Sequence, residues 1–241
     1  MSVLMLRITV LALLSTTLVA GSENPFLVGT EFDFGAVPQN ATLSHEVWLH
    51  AGSTETLLLE DIKTGCGCLT APWEKTSILP NDSLRIVFYW YTRASEGMRD
   101  LSAFLYVSPE PYPLEVRLTG KPVTQPEPEA SFELKPRRLD FGKARDSRAE
   151  GKVVLTNRSL GELKLSLVAA GPGIKVELAD SVATGGTVEI KVMRTEVGGV
   201  APLETSFTFE ATGNPGPKER VSVPVTCGDF SFRPEFTTTR K

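Results

Sequence analysis

Histidine is nearly absent from this chain: His45 and His50 are the only two in 241 residues. Acid–base catalysis built on imidazole is therefore poorly supplied. Cysteine is scarce as well, with Cys66, Cys68 and Cys227 alone. A four-ligand structural zinc site would need both residue types together, yet strand parity puts His45 and His50 on opposite faces of one segment. Basic runs are missing: Arg137-Arg138 is the only adjacent pair before the terminal Arg240-Lys241, and the net charge is −4. That balance excludes the electrostatic footprint of a nucleic-acid binder, and Arg137-Arg138 reads as solvated surface. There is no Gly-x-Ser-x-Gly, no phosphate-binding Gly-x-x-x-x-Gly-Lys and no His-Glu-x-x-His. Gly65-Cys66-Gly67 begins like a dinucleotide loop, but Thr70 stands where the third glycine is required and no helix comes after it. Beyond residue 22 no segment has the periodicity of an amphipathic helix.

The one long apolar stretch is N-terminal. Arg7 precedes Ile8 to Ala20, a run without charge, and the small residues Ala20, Gly21 and Ser22 lead into Glu23. This is the layout of a secretory signal peptide, expected over residues 1–22. Retention as an anchor is the alternative. The run after Arg7 is short of the roughly 20 apolar residues of a membrane span. The mature chain is expected outside the cytoplasm, periplasmic or extracellular, where thiols tend to be oxidised. No stable membrane insertion is expected after cleavage.

The rest of the chain is a series of short apolar–polar alternations punctuated by Gly, Pro, Asn and Asp. Leu43, His45, Val47 and Leu49 share one face of a strand; Ser44, Glu46, Trp48 and His50 share the other. Leu84, Ile86, Phe88 and Trp90 alternate with Arg85, Val87, Tyr89 and Tyr91, so this segment reads as a central strand. Leu101 to Val107 and Leu114 to Leu118 form a hairpin across Ser108-Pro109-Glu110-Pro111. Residues 121–130, with three prolines, read as a stiff linker. The pattern then repeats: Phe32-Asp33-Phe34-Gly35 is echoed 107 positions later by Leu139-Asp140-Phe141-Gly142. One repeat of this length means two copies of a domain rather than a solenoid. About seven short strands in some 95 residues is the density of an immunoglobulin-like sandwich. The expected fold is all-β, two tandem immunoglobulin-like β-sandwiches after a signal peptide: residues 27–120 with the cysteine loop and residues 131–228, with a loose tail at 229–241.

Thr64-Gly65-Cys66-Gly67-Cys68-Leu69-Thr70 carries the most suggestive chemistry. On an extended strand the two cysteine Cα atoms would lie about 6.6 Å apart, near the upper limit for a disulfide. Gly65 and Gly67 offer a kink. Three readings stay open: a reducible Cys66–Cys68 disulfide, a two-thiolate site for a soft metal such as copper(I), or plain packing of small residues at a turn. At the repeat offset the second copy has Gly173-Ile174-Lys175 there, and Cys227 falls on the counterpart of Gly120. The fold is thus buildable without the cysteine pair, and Cys227 reads as a packed or unpaired thiol.

Phe-Asp-Phe-Gly near a domain start, then an apolar strand, then Gly-Cys-Gly-Cys-Leu-Thr and a proline-containing turn, resembles a bacterial family of exported proteins of unknown function with a Cys-Gly-Cys-Thr signature. The match covers roughly Thr30 to Gly120 with the signature and Phe132 to Cys227 without it. This chain departs from the signature in that Leu69 separates Cys68 from Thr70. The resemblance implies export and a sandwich of the major-sperm-protein type, and it implies no activity.

The function expected is a non-catalytic exported scaffold or protein-binding module. The alternative is metal handling or thiol redox at Cys66 and Cys68, the only metal and disulfide candidates. No cofactor is expected beyond copper or another soft metal at that pair, and the partner is a protein rather than nucleic acid. Tyr89, Tyr91, Phe104 and Tyr106, on outward faces, are the candidates for an aromatic docking surface; packing against loops or the other domain is the competing reading.

Overall fold

A computed structural model describes residues 26–124, 130–142, 150–195, 203–213, 216 and 218–228. The expected leader, the tail and residues 125–129 of the proline-rich segment lie outside them. The described residues form strands and turns without a helix, so none provides a helix long and apolar enough to cross a membrane.

The first nine strands are β1 (Phe26–Val28), β2 (Glu31–Pro38), β3 (Thr42–His50), β4 (Leu57–Thr64), β5 (Leu69–Thr70), β6 (Thr76–Ile78), β7 (Ser83–Tyr91), β8 (Arg99–Ser108) and β9 (Leu114–Val123). The next nine are β10 (Phe132–Lys135), β11 (Leu139–Asp140), β12 (Glu150–Asn157), β13 (Leu163–Ala170), β14 (Ile174–Glu177), β15 (Ser181–Val182), β16 (Thr187–Arg194), β17 (Leu203–Gly213) and β18 (Lys218–Cys227). One four-stranded sheet has the order β1-β3-β7-β5, and a second, β10-β12-β16-β14, has the same pattern. Opposite them runs a single ten-stranded sheet, β15-β13-β17-β18-β2-β9-β8-β4-β6, with β11 also on β18.

The reason for each strand is the alternation in its sequence. In β7, Ile86, Phe88 and Trp90 are buried while Arg85 is exposed and Tyr89 and Tyr91 are half-buried. Strand β7 lies between β3 and β5, the central position its doubly apolar pattern requires. Two apolar cores result. One gathers Phe34, Val47, Leu59, Phe88, Trp90 and Leu118 between the first four-stranded sheet and its half of the long sheet. The other gathers Phe141, Leu155, Ile190, Phe207, Phe209 and Val225. Each fully buried side chain of this size contributes about 1.5–3 kcal/mol over its exposed state, so immunoglobulin-like packing holds without an inter-sheet disulfide.

The matched motif Phe-Asp-Phe-Gly has one geometry in both halves. Asp33 Oδ1 accepts the Gly35 N–H at 2.9 Å, and Asp140 Oδ1 accepts the Gly142 N–H at 2.8 Å. Both glycines have positive φ, +66° and +87°, a region L-residues disfavour. Strand β2 lies parallel to β9, and β11 lies parallel to β18.

The halves meet through strands and buried hydroxyls. Strand β18 pairs with β2 at Val221 and Ala36, Ser222 donates to the Phe34 carbonyl at 2.7 Å, and Arg220 donates to the Asp33 carbonyl at 3.1 Å. Ser44 N–H donates to Ser206 Oγ at 3.0 Å, and the Ser44 and Thr205 hydroxyls are 3.0 Å apart. The Ser206 side chain thus occupies a position on β3 that a neighbouring strand would otherwise fill. Residues Lys121–Val123, assigned to the linker by their proline content, continue β9 and pair with Ala36–Pro38 of β2. The one proline among them, Pro122, stands opposite Val37 and has no N–H to donate to that ladder.

Candidate functional site

The cysteine loop joins β4 to β5. Its entry is fixed by Gly65, whose N–H donates to the Ser102 carbonyl of β8 at 2.8 Å. A Cβ at Gly65 would lie 2.9 Å from Ser102 Oγ, a hydroxyl that can rotate away, and 3.3 Å from the Ser102 carbonyl oxygen, so the approach is close and favours a small residue. Neither Gly65 nor Gly67 has positive φ, so the kink arises without the left-handed backbone that the two glycines suggested. Leu69 N–H donates to the Cys66 carbonyl at 3.3 Å, closing the turn, and Tyr91 N–H donates to the Cys68 carbonyl at 2.8 Å. The turn draws the Cys66 and Cys68 Cα atoms to 5.2 Å, and a disulfide joins their sulfurs. Cys68 N–H points at Cys66 Sγ, 3.3 Å away. Both cysteines are half-buried and pack on the edge of the first core.

Beside the disulfide is a cleft of about 350 Å3. Its walls include Trp90, Tyr91, Arg93 and Arg99. Arg93 donates through Nη2 to the carbonyl of Gly67, the residue between the two cysteines, at 3.2 Å. Arg99 donates to the Glu96 carbonyl at 3.1 Å. Arg93 comes from the β7–β8 connection and Arg99 opens β8, and both are exposed. Sequence reasoning missed them because they lie 25–33 positions from the cysteines, with no motif linking the two segments.

The second half marks what the cysteine loop adds. Gly171 N–H donates to the Ser206 carbonyl at 2.8 Å, the counterpart of the Gly65–Ser102 bond, and Thr195 N–H donates to the Gly173 carbonyl at 3.0 Å, the counterpart of Tyr91–Cys68. Gly171-Pro172-Gly173 therefore stands opposite Gly65-Cys66-Gly67-Cys68. The constant offset of 107, which placed Gly173-Ile174-Lys175 there, is corrected: the first loop is one residue longer, and its extra length is closed by sulfur where the second has a proline.

Cys227 does stand opposite Gly120: it pairs with Leu203 at the start of β17, as Gly120 pairs with Arg99 at the start of β8. A Cβ at Gly120 would meet the Trp90 ring at 2.6 Å. In the second half Cys227 is fully buried and accepts a hydrogen bond from Arg194 Nη1 at 3.2 Å. It is a free thiol within a core.

The histidines stay apart. His45 is buried, stacked on Phe32 at 4.1 Å between ring centroids, with Nε2 2.8 Å from the Gly29 carbonyl. Burial holds its pKa below the usual histidine range, against the opposing effect of that hydrogen bond. His50 Nδ1 lies 2.6 Å from Ser83 Oγ. Among the described residues no group of three or more His, Cys, Asp or Glu converges. Two thiolates are all the protein ligands the Cys66–Cys68 loop brings together, and only after reduction.

The four aromatic residues do not form one surface. Tyr89 and Tyr91 lie on β7 of the four-stranded sheet, whereas Phe104 and Tyr106 lie on β8 of the opposed sheet. Outward faces of opposed sheets point away from each other. Tyr89 is turned toward the second half: burial raises its pKa and the Glu204 carboxylate adds to the shift. Tyr106 lies beneath Lys63 Nζ at 4.6 Å. Two tryptophans are exposed, Trp73 in the β5–β6 connection and Trp48 on β3, the latter in register with Val28 on β1 and Arg85 on β7. These side chains are 38% exposed for Trp48 and 50% for Val28. The strand parity already placed Trp48 outward. Arg138, read as solvated surface, is exposed, and it also donates to the carbonyls of Gln39 and Asn40, tying the second half to the β2–β3 turn.

A family model described as "Protein of unknown function (DUF1573)" matches residues 27–121, the half that carries Cys66 and Cys68. No curated protein matches the chain. Among solved structures, a Porphyromonas gingivalis protein of unknown function aligns at 11% identity over 84% of this chain and 99% of its own, with a TM-score of 0.34. The CupB2 chaperone of Pseudomonas aeruginosa aligns at 11% identity over 82% and 98%, with a TM-score of 0.31. SSP-19 of Caenorhabditis elegans, an MSP-domain protein, aligns at 14% identity over 39% and 97%, with a TM-score of 0.32. Scores this low fix neither activity nor partner.

Proposed function

We propose that this protein is a non-catalytic, exported protein-binding module that engages its partner through the outer face of the β1-β3-β7-β5 sheet. The observation that carries the reading is the in-register row Val28, Trp48 and Arg85, in which a tryptophan and a valine are both open to solvent. The His50 ring lies nearly parallel to Trp48, 23° between planes with centroids 6.5 Å apart. Tryptophan and arginine dominate binding hot spots because they combine large contact area with few rotatable bonds or fixed donors. The far end of the same face is closed by Ser206 and Thr205 against Ser44, so the second half holds this sheet in place. Export rests on the leader-like residues 1–22.

The test is cross-linked recovery of a defined envelope partner by the full chain. The wild-type protein and the Cys66→Ser/Cys68→Ser variant should recover it equally. Trp48→Ala should lose at least tenfold in affinity, the scale of a hot spot. Equal binding by Trp48→Ala refutes the face; loss in the cysteine variant moves the partner site to the cysteine loop.

A further inference from the structure

The cleft beside Cys66 and Cys68 remains unaccounted for by a docking role on the opposite end of the sheet. Three features meet there. The disulfide links residues two apart, so it encloses one residue, Gly67. The two flanking backbone hydrogen bonds recur in the second half around the shorter, sulfur-free Gly171-Pro172-Gly173, so the strands on either side of the loop are held without a covalent link. And the cleft beside the half-buried sulfurs is lined by two arginines, Arg93 with its guanidinium on the Gly67 carbonyl and Arg99 with its own on the Glu96 carbonyl.

We propose that Cys66–Cys68 is a thiol–disulfide exchange site for negatively charged thiols, with Cys68 as the sulfur attacked and Cys66 as the leaving thiolate. The Cys68 N–H already points at Cys66 Sγ, and a donor so placed favours negative charge on that sulfur. The Arg93 guanidinium, bonded to the Gly67 carbonyl, adds positive charge at the same turn. The incoming thiolate forms a bond to Cys68 Sγ, the Cys66–Cys68 bond breaks, and its electron pair passes to Cys66 Sγ. A second thiolate of the donor then attacks the donor's own sulfur in the mixed disulfide and releases Cys68 as a thiolate. The donor leaves as a disulfide, oxidised by two electrons, and the protein pair is reduced by two. Arg93 and Arg99 select donors that carry carboxylate or sulfonate groups by attracting the anion into the cleft. The buried Cys227, inside the second core, takes no part.

The experiment uses the full chain and two small thiols, mercaptoethanesulfonate and cysteamine. Rates are normalised to thiolate concentration and to each thiol's rate with an uncharged linear disulfide. Wild-type protein should react about tenfold faster with the anionic thiol, because two cationic groups act with opposite sign on the two probes. The Arg93→Ala/Arg99→Ala variant should bring the ratio near one. Acid quenching and then peptide mapping should place the mixed disulfide on Cys68. Tryptophan fluorescence should keep its folded signal throughout. Reduction that occurs only on unfolding, a ratio unchanged in the arginine variant, or a mixed disulfide confined to Cys66 each overturns the proposal. Because Trp48 lies outside the cleft, Trp48→Ala should exchange thiols at the wild-type rate, so failure here is separable from failure of the docking face.

Discussion

Replacing both cysteines, Cys66→Ser/Cys68→Ser, isolates what the covalent link contributes to the first sandwich. The closed loop spans three residues. In the chain-entropy treatment a loop of this size removes about 5.4 cal/mol/K from the unfolded ensemble, or about 1.6 kcal/mol at 25 °C. A fifteen-residue loop gives about 3 kcal/mol on the same scale, so this link is a small contributor by construction. The rest of the turn remains: Gly65 on Ser102, Leu69 on Cys66 and Tyr91 on Cys68 are backbone bonds that the substitution leaves in place. The chain supplies its own reporter, since all three tryptophans, Trp48, Trp73 and Trp90, lie in the first half. Urea unfolding monitored by tryptophan fluorescence therefore reads that half alone. With a slope of about 1.5 kcal/mol/M, the midpoint should fall by about 1 M. A loss above about 4 kcal/mol, the range of a large-to-small core substitution, would refute the reasoning. It would mean that the sulfur link holds the core together and that the matching proline turn of the second half is no guide to the first.

Gly120→Ala should cost about 1–3 kcal/mol in the same assay, because its methyl group would be forced against the Trp90 ring; an unchanged midpoint would show that the ring moves freely. His45 has its pKa lowered by burial, so the unfolded chain binds the proton more readily than the fold. Stability should therefore fall as pH drops from about 6.5, the unfolded value, toward the lower folded pKa, and a His45→Gln variant should lose that slope; a midpoint flat across this window in the wild type would contradict it. Ser206→Ala removes the hydroxyl that bonds Ser44 N–H and Ser44 carbonyl, and exchange of the Ser44 amide should accelerate by roughly tenfold or more, in line with about 1–3 kcal/mol for a buried donor left unpaired.

The strands were legible because their period is local. The face carrying Leu43, His45, Val47 and Leu49 and the doubly apolar run from Leu84 to Tyr91 derive from alternation alone, and both appear in the sheets as β3 and β7. The Asp33–Gly35 and Asp140–Gly142 turns share a motif and share a geometry. What escaped the sequence is non-local. The offset between halves is 107 at Phe34 and Phe141 but 104 at Ile86 and Ile190, as their strand pairings require, because the connections differ in length; no single shift aligns the loops. Arg93 and Arg99 reach the cysteines only through the pairing of β7 with β5, a contact set by the fold. Arg138 is the surface charge it looked like, but its tie to a turn some hundred residues earlier escaped because its partners there are backbone carbonyls, and carbonyls leave no mark in a sequence.

The same comparison of halves explains why sulfur occurs where it does. Trp90 and Arg194 are counterparts, and each stands over the counterpart of the other's floor: Trp90 over Gly120, Arg194 against Cys227. In the first half the large ring needs a glycine beneath it, and the loop above, one residue longer, is closed by Cys66 and Cys68 at the mouth of the cleft that Trp90 helps to line. In the second half a smaller group fits over a cysteine side chain, and the shorter loop needs only Pro172. One buried thiol and one half-exposed pair are thus placed by different demands. Cys227 fills core volume, as a small apolar side chain does, whereas Cys66 and Cys68 sit where solvent and cationic side chains meet. Chemistry that depends on thiolate formation requires the second environment, which is why a reagent acting on the folded chain should find Cys66 and Cys68 after mild reduction and leave Cys227 unmodified.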